Sequence, residues 1–346
     1  MSRRWKIVIA VVVLLPVLAL RAGTGFIAKA FGWPTAWKFL AGTFRGARSR
    51  PLTARTFERT PARVERGRYL VTGLLGCFGC HSQHEPYREP LPEKMGAGTV
   101  ETDPQSPVAF TYPNITPDAE TGAGTWTDDM LARGIREGIG HDGRPLVPVM
   151  PYENLRHLTD EDLAAVVVYL RSIPPVHNPL PQTKLPLPFK LLVKGFPEPL
   201  AGPVAAPAAA DPARNGEYLT QLGACNDCHA ATDRKGNKLP YGGGQIFEAP
   251  AGKVAAANLT PDPSGIPYYD EAMFIQTMRT GRVGGVRQLS VAMPWRVYGR
   301  LNDDDLKAMF AYLRTQKPVR HRVDNSEPPT YCKFCGKTHG GGALNP

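Results

Sequence analysis

The sequence lacks a net charge over most of its length. Residues 1–60 hold eleven Lys and Arg but only one acid, Glu58, and they account for the whole formal charge of +10. Residues 61–346 carry the remaining 30 of the 41 basic and 30 of the 31 acidic side chains. A basic surface for nucleic acid is therefore not expected in the body of the protein. Hydrophobic residues make up 42% of the chain, which excludes disorder throughout and is enough for about two domains.

Long apolar runs are scarce. One covers residues 7–20, near the amino terminus, and follows Arg3, Arg4 and Lys6. A charged start followed by an apolar run is the pattern of an export signal. The run of 14 apolar residues is short for a membrane-spanning helix, although its flanks extend it toward about 20. We expect residues 1–30 to be a signal or membrane anchor.

The segment that follows, residues 31–61, is basic and contains Trp33 and Trp37. Aromatic rings and cations suit a membrane interface, so we predict a basic juxtamembrane segment, with a solvated linker as the alternative. Cleavage after Ala30 is the alternative to an anchor. The positive-inside rule taken alone favours the reverse orientation, because eight cations follow the apolar run and three precede it.

Cysteine is rare, at six residues, but four of the six follow one pattern. Residues 77–81 and 225–229 both have the sequence Cys-x-x-Cys-His, which is the spacing of covalent c-type haem attachment. Composition alone gives one such pentad by chance about twice in a thousand chains of this length. The thiols bind the vinyl groups of one haem, and the turn between them directs the histidine at the iron. We expect two covalently bound haem c groups, held by Cys77, Cys80 and His81 and by Cys225, Cys228 and His229.

The two halves of the chain match beyond the cysteines. Both contain an Asn-x-Thr-Pro-Asp motif, at residues 114–118 and 258–262, and from Met150 onward they align at a constant offset of 143 residues. A single repeat of this length indicates a duplicated domain rather than a solenoid.

Glycine occurs at matching places in the helix that leads into each haem motif, as Gly67 and Gly216. A missing Cβ there would allow another helix to cross closely. Tyr169 and Tyr312, in the last helix of each half, are the residues expected at the crossing.

The ligand on the second face of each iron decides between electron carriage and catalysis. The candidates in the first half are Met130, His141, Met150 and His157. At the offset of 143 residues the second half has Gly284 and Arg300 in place of the two histidines. Met150 and its counterpart Met293 each precede a proline, which favours an extended backbone and presents the thioether from a stiff loop.

We therefore predict His81 with Met150 and His229 with Met293 as the axial pairs. Met130 and its counterpart Met273 lie near helix starts, where methionine usually fills core space. If only one methionine bound iron, His141 or His157 would mark the other haem as the reactive one.

Arginines lie six residues before each of these loop methionines, at Arg144 and Arg287. A guanidinium at this position is a candidate partner for a haem propionate, through two parallel hydrogen bonds. An exposed, solvated arginine explains the same pattern equally well.

These considerations predict two tandem helical domains, each with one haem motif. The predicted boundaries are 1–30 for the signal or anchor, 31–61 for the basic segment, 62–175 for domain 1, 176–211 for a Pro-rich linker, 212–318 for domain 2 and 319–346 for a C-terminal tail. The linker is expected to pack along the domains, because prolines make it semi-rigid.

The same residues resemble the di-haem c-type cytochromes that serve as electron-transfer subunits of bacterial membrane-bound dehydrogenases. The resemblance covers about residues 62–318 and rests on the haem pentads, the Gly-x-Tyr-Leu helices, the Asn-x-Thr-Pro-Asp loops and the Met-Pro loops. It implies an all-α cytochrome c fold in each half, periplasmic exposure and one-electron shuttling without bond chemistry.

A third cysteine pair departs from this pattern. Cys332 and Cys335 have the same spacing, but Gly336 follows instead of histidine, and no Met-Pro loop surrounds them. A third haem is therefore not expected. A disulfide suits an oxidising compartment, and the alternative is a small metal site of Cys332, Cys335 and His339, for which a fourth ligand is not obvious.

We predict a periplasmic, membrane-anchored di-haem cytochrome that is not itself an enzyme. Its expected partners are a membrane dehydrogenase, a quinol-oxidising complex or a terminal acceptor, and not a nucleic acid. It is expected on the periplasmic side of the bacterial inner membrane, or free in the periplasm if the signal is cleaved. The alternative is a di-haem enzyme of the peroxidase or thiosulfate dehydrogenase type, which would need an open haem face.

Overall fold

The computed structural model of the protein describes residues 33–85, 89–102, 108–207 and 211–346. The signal or anchor predicted over residues 1–30 lies outside them. Within the described ranges, no helix is both long enough and apolar enough to cross a bilayer.

The same order of helices occurs in both halves of the chain. Helix α1 (Trp33–Phe44) precedes the first half, whose helices are α2 (Pro61–Tyr69), α3 (Asp128–Glu137), α4 (Tyr152–Leu155) and α5 (Asp160–Leu170). Helix α6 (Leu187–Val193) lies in the Pro-rich connection. The second half contains α7 (Pro212–Leu222), α8 (Cys225–His229), α9 (Glu271–Thr280), α10 (Trp295–Tyr298) and α11 (Asp303–Arg314).

The expectation of an all-α fold holds only in part, because short hairpins occupy the long loops and the tail. The strands of the described ranges pair antiparallel in twos: β1 (Thr99–Glu101) with β2 (Phe110–Tyr112), β3 (Ala231–Thr232) with β4 (Lys238–Leu239), β5 (Ile246–Ala249) with β6 (Gly252–Ala255), β7 (Arg282–Val283) with β8 (Arg287–Gln288), and β9 (Pro329–Tyr331) with β10 (Thr338–Gly340). Loops of this length must satisfy their own backbone groups, and short hairpins do so locally.

The last helix of each half begins at a side-chain cap. Thr159 accepts a hydrogen bond from the Asp162 N–H at 3.0 Å before α5, and Asn302 accepts one from the Asp305 N–H at 2.7 Å before α11. Both helices have three acidic residues in the first turn, where negative charge complements the helix dipole. These caps fix where the two long core helices start.

The helix crossing predicted at the two glycines is confirmed. A Cβ on Gly67 would collide with the carbonyl oxygen of Ala165 in α5 and would lie 2.6 Å from the Cβ of Tyr169. A Cβ on Gly216 would collide in the same way with α11 and would lie 2.8 Å from the Cβ of Tyr312. The first and last helices of each half therefore touch backbone to backbone.

The two halves share one hydrophobic core, to which both contribute fully buried leucines such as Leu70 and Leu301. Across the junction, one tyrosine of each half donates a hydrogen bond to an aspartate of the other half. The Tyr69 hydroxyl donates to Asp305 at 2.6 Å, and the Tyr218 hydroxyl donates to Asp162 at 2.7 Å. Since each half supplies one tyrosine and one aspartate, the junction has approximate two-fold symmetry.

The Pro-rich connection packs on the rest of the chain, as expected. Its helix α6 lies against α1, where a Cβ on Gly42 would collide with the carbonyl oxygen of Leu191. Helix α1 and the connection therefore brace each other beside the first domain.

One arginine of the basic segment, residues 31–61, forms ion pairs with buried acids of the first domain. The Arg50 guanidinium donates two hydrogen bonds of 2.7 Å to Asp129 and one of 2.7 Å to Glu137, both on α3. Burial alone would raise the pKa of Asp129, but the hydrogen bonds from Arg50 and Thr53 outweigh it and lower the pKa to about 2. Arg50 is thus a structural cation of the first domain.

The close helix crossing predicts a large effect of one methyl group. Gly67→Ala and Gly216→Ala should each lower the free energy of unfolding by about 3 kcal/mol, because the added Cβ meets a backbone oxygen that cannot move alone. Chemical denaturation followed by haem absorbance measures this change. Gly202→Ala is the matched control, since no atom lies within 4 Å of its Cβ position. Equal stability of all three variants would contradict the crossing.

Candidate haem sites

Each haem motif begins where a helix stops abruptly. The residue before the first cysteine, Gly76 in one half and Ala224 in the other, has a left-handed backbone with φ of 56° and 53°. This conformation ends the preceding helical segment and starts the short turn that carries the cysteines. Glycine adopts it at little cost, whereas alanine is strained there.

Both turns present their thiols in the same way. Cys77 and Cys225 are half-buried, Cys80 and Cys228 are exposed, and all four are free. Burial raises the pKa of Cys77 and of Cys225 to about 12, so both are protonated thiols at neutral pH. Each motif therefore offers two thiols at an accessible surface, which is what covalent attachment of one haem requires.

One ring nitrogen holds each motif histidine in place. His81 Nδ1 donates to the carbonyl oxygen of Pro113 at 2.8 Å, and His229 Nδ1 donates to that of Ala257 at 2.7 Å. A proton on Nδ1 leaves the lone pair on Nε2. Burial lowers the pKa of both rings and so favours the neutral form. Within the described ranges Nε2 of either ring has no hydrogen-bond partner, so both histidines fit as ligands of a haem iron.

The accepting carbonyls belong to the residue just before each Asn-x-Thr-Pro-Asp motif. Asn114 Oδ1 accepts from the N–H two residues later at 3.0 Å, and its Nδ2 donates to the carbonyl of Val176 at 2.7 Å. Asn258 makes the equivalent bonds in the second half. Its Oδ1 accepts from the Thr260 N–H at 2.9 Å, and its Nδ2 donates to the carbonyl of Val319 at 2.7 Å. The motif thus ties the acceptor of the histidine to the segment that follows the last helix. The repeat was visible in the sequence, but this role was not.

Met150 and Met293 lie in loops of matching conformation. Pro151, which follows Met150, has φ of −79° and ψ of 47°. Pro294, which follows Met293, has φ of −78° and ψ of 49°. The backbone N–H of each methionine donates to the carbonyl three residues earlier, at 3.0 and 3.1 Å. Both side chains are half-buried against the core. The structure therefore presents one thioether per half in an equivalent setting, while its bond to iron stays a prediction.

The other axial candidates have different surroundings. His141 stacks on Trp126, with ring centroids 4.2 Å apart and planes 10° from parallel. His157 is exposed. The sulphur of Met130 accepts from the backbone N–H of Thr127 at 3.4 Å in the cap of α3. These settings favour Met150.

The two arginines proposed for the propionates differ from each other. Arg144 is exposed and donates to Asp142 and, at 3.1 Å, to Gln182. Arg287 begins β8. The hydrogen bond from Ser326 is the main cause that lowers the pKa of Asp324, and the charge of Arg287 adds to it. Burial raises the pKa of Tyr269 to about 12, and the charge of Arg287 only opposes that rise. Propionate binding by either arginine stays a prediction.

The three residues proposed for the tail site do come together, along with a fourth that the sequence reasoning missed. His321 lies beside Cys332, Cys335 and His339. Its one signal in the sequence is that Asn178 stands at the matching position of the first half, 143 residues earlier.

Comparison with known proteins places this geometry in context. No family model matches the chain. It is 30% identical over 279 residues to the fructose dehydrogenase cytochrome subunit of Gluconobacter japonicus. The aligned region covers 76% of this chain and 55% of that protein. The chain is 28% identical over 280 residues to the cytochrome c subunit of alcohol dehydrogenase (quinone) from Gluconobacter oxydans, with 75% and 55% covered.

A shorter relative matches over most of its own length. This is a di-haem c-type cytochrome of Cereibacter sphaeroides, 27% identical over 249 residues, with 69% of this chain and 81% of that protein covered. The chain spans about half the length of the two dehydrogenase subunits. The resemblance drawn from the sequence is confirmed, and the chain is a homologue of the cytochrome c subunits of bacterial dehydrogenases and of a di-haem c-type cytochrome.

Proposed function

We propose that this protein is a di-haem electron carrier in which each haem has one histidine and one methionine ligand. Bound haem supplies reversible one-electron reduction and oxidation. The cysteines would hold it covalently, Nε2 of His81 and of His229 would bind the iron, and the Met-Pro loops would supply Met150 and Met293. Thioether ligation in an apolar setting favours the ferrous state and raises the potential.

The observation that carries this proposal is the contact between the segments that lead into the two haem motifs. Leu74 lies three residues before the first motif, and Gly223 lies two residues before the second. A Cβ added to Gly223 would lie 3.4 Å from a methyl group of Leu74. Asn154, just after the first Met-Pro loop, donates to Asp227 inside the second motif at 2.7 Å. The segments that carry the two motifs are therefore in contact, an arrangement that would suit electron transfer from one haem to the other within the protein.

The proposed donor is a dehydrogenase or a quinol-linked complex, with a terminal acceptor downstream. Two relatives are named as cytochrome subunits of fructose and alcohol dehydrogenases, which supports a dehydrogenase as partner. We place the protein on the periplasmic side of the inner membrane, because the export pattern over residues 7–20 leads to the compartment where c-type haem is attached. Residues 1–30 would anchor it there, or would be cleaved to release it.

A redox titration tests the proposal directly. The purified holoprotein should take up two electrons per chain reversibly, and it should consume neither peroxide nor thiosulfate, because a filled sixth position leaves no site for substrate. Spectroelectrochemistry and activity assays on one preparation give both results. Catalytic consumption of peroxide or thiosulfate would contradict the carrier and support a di-haem enzyme.

Replacement of one methionine tests the ligand assignment. Met150→Leu should abolish the methionine-to-iron charge-transfer band of one haem and lower its potential by on the order of 0.1 V, within the span of about 0.8 V that axial ligands control. Met130→Leu is the matched control in the same half and should leave the band and both potentials unchanged. The assignment fails if the two variants behave alike.

A further inference from the structure

Four side chains of the C-terminal region, none of them part of a haem motif, converge on one point. His321, Cys332, Cys335 and His339 each direct a ligand atom there, and the four atoms lie within 4.8 Å of one another. His321 and Cys332 are completely buried, and His339 is 3% exposed. We propose that this cluster is a structural Zn²⁺ site that joins the hairpin of the tail to His321, a tail residue that is hydrogen-bonded to the second haem domain.

The donor set and its orientation fit zinc. Two thiolates and two imidazoles are a common ligand set of tetrahedral structural zinc. His321 Nδ1 donates to the carbonyl oxygen of Gly242 at 2.9 Å, and His339 Nδ1 donates to that of Gly340 at 3.0 Å. Both Nε2 atoms therefore keep their lone pairs and turn toward the cysteines, which is how a ligating histidine is usually held.

Three of the six separations between ligand atoms agree with tetrahedral zinc. The two Nε2 atoms are 3.2 Å apart, Cys332 Sγ is 3.6 Å from Nε2 of His321, and Cys335 Sγ is 3.4 Å from Nε2 of His339. Zn–S bonds of about 2.3 Å and Zn–N bonds of about 2.0–2.1 Å give about 3.3 Å between nitrogens and about 3.6 Å between nitrogen and sulphur.

The short distance between the nitrogens is itself an argument for a cation. With both protons on Nδ1, two unprotonated Nε2 atoms face each other in a buried space and cannot hydrogen-bond to each other. Two acceptors at 3.2 Å repel each other, and the cysteine thiols beside them are only weak donors. A zinc ion bound by both nitrogens removes this repulsion.

The backbone around the cysteines forms a tight turn between β9 and β10. Cys332 N–H donates to the carbonyl of Lys337 at 2.8 Å, and the Gly336 N–H donates back to the carbonyl of Cys332 at 2.9 Å. Gly336 has φ of 73°, a conformation that favours glycine. The hairpin thereby brings Cys332, Cys335 and His339 to one side without help from distant elements.

Comparison of His321 with its counterpart in the first half shows which of its two ring nitrogens the fold requires. In the first half Asn178 occupies the matching position, and its Nδ2 donates to the carbonyl of Ala97 at 2.9 Å. Ala97 and Gly242 each precede a glycine whose N–H donates to the carbonyl of the haem-binding histidine of the same half. An asparagine therefore suffices for this hydrogen bond, and a histidine adds a second nitrogen that faces the cysteine pair.

The site also connects to the second haem motif. The carbonyl of His321 accepts from Asn258 Nδ2 at 3.1 Å, and Asn258 follows Ala257, the hydrogen-bond acceptor of His229. Four protein ligands leave no open position for substrate, so the role assigned to zinc is structural. The metal thus holds the hairpin of the tail to His321, and the carbonyl of His321 is hydrogen-bonded to the loop that orients one haem ligand.

Elemental analysis of the intact holoprotein tests the site, with its own haem iron as the internal standard. We expect one zinc for every two irons. X-ray absorption at the zinc edge should show two sulphur ligands at about 2.3 Å and two nitrogen ligands at about 2.0 Å. Since haem attachment consumes four of the six cysteines, denaturation in a chelator should release two titratable thiols per chain. A disulfide between Cys332 and Cys335, or two free thiols without zinc, would overturn the proposal.

The repeat itself supplies the sharpest variant, His321→Asn. This change installs the residue of the first half, so the hydrogen bond to Gly242 can persist while one metal ligand is lost. Zinc should fall to less than about one tenth per chain, with both haems retained. His157→Asn, at an exposed position, should keep its zinc. If His321→Asn binds zinc like the control, the four-ligand site is refuted, and if it does not fold, the zinc-edge spectrum of the unaltered protein decides.

Discussion

The hydrogen bond from Nδ1 of each motif histidine to a loop carbonyl is the constraint on which the rest of this structure depends. A proton on Nδ1 in this bond leaves the lone pair of His81 and of His229 on Nε2, the atom that would bind a haem iron. The acceptor carbonyl is held by Asn114 or Asn258, whose side chain also binds the segment after the last helix. Ring, loop and helix end are thereby joined in one hydrogen-bonded unit that occurs twice.

The two copies of that unit share one hydrophobic core. The tyrosine–aspartate bonds between Tyr69 and Asp305 and between Tyr218 and Asp162 pair equivalent parts of the two halves. The shared core holds together the segments that lead into the two haem motifs. After the last helix the symmetry ends: the matching position is Asn178 in one half and His321 in the other, and only His321 meets a cysteine pair.

Local and repeated features were predictable from the sequence, and long-range ones were not. The haem pentads have fixed spacing, and Gly67 marked its helix crossing because a glycine recurred at the same place in both halves. His321 was missed because it lies 11 residues before Cys332 and joins the cluster only through the fold of the tail. The small hairpins were missed because strands of two to four residues carry too little periodicity to identify.

The central claim is that both halves hold equivalent low-spin haems with histidine and methionine ligands. Electron paramagnetic resonance of the oxidised protein, combined with near-infrared magnetic circular dichroism, tests it most directly. The account predicts two low-spin ferric signals, each with a methionine-to-iron charge-transfer band. A high-spin, five-coordinate signal from either haem, or a charge-transfer band from only one, would contradict it.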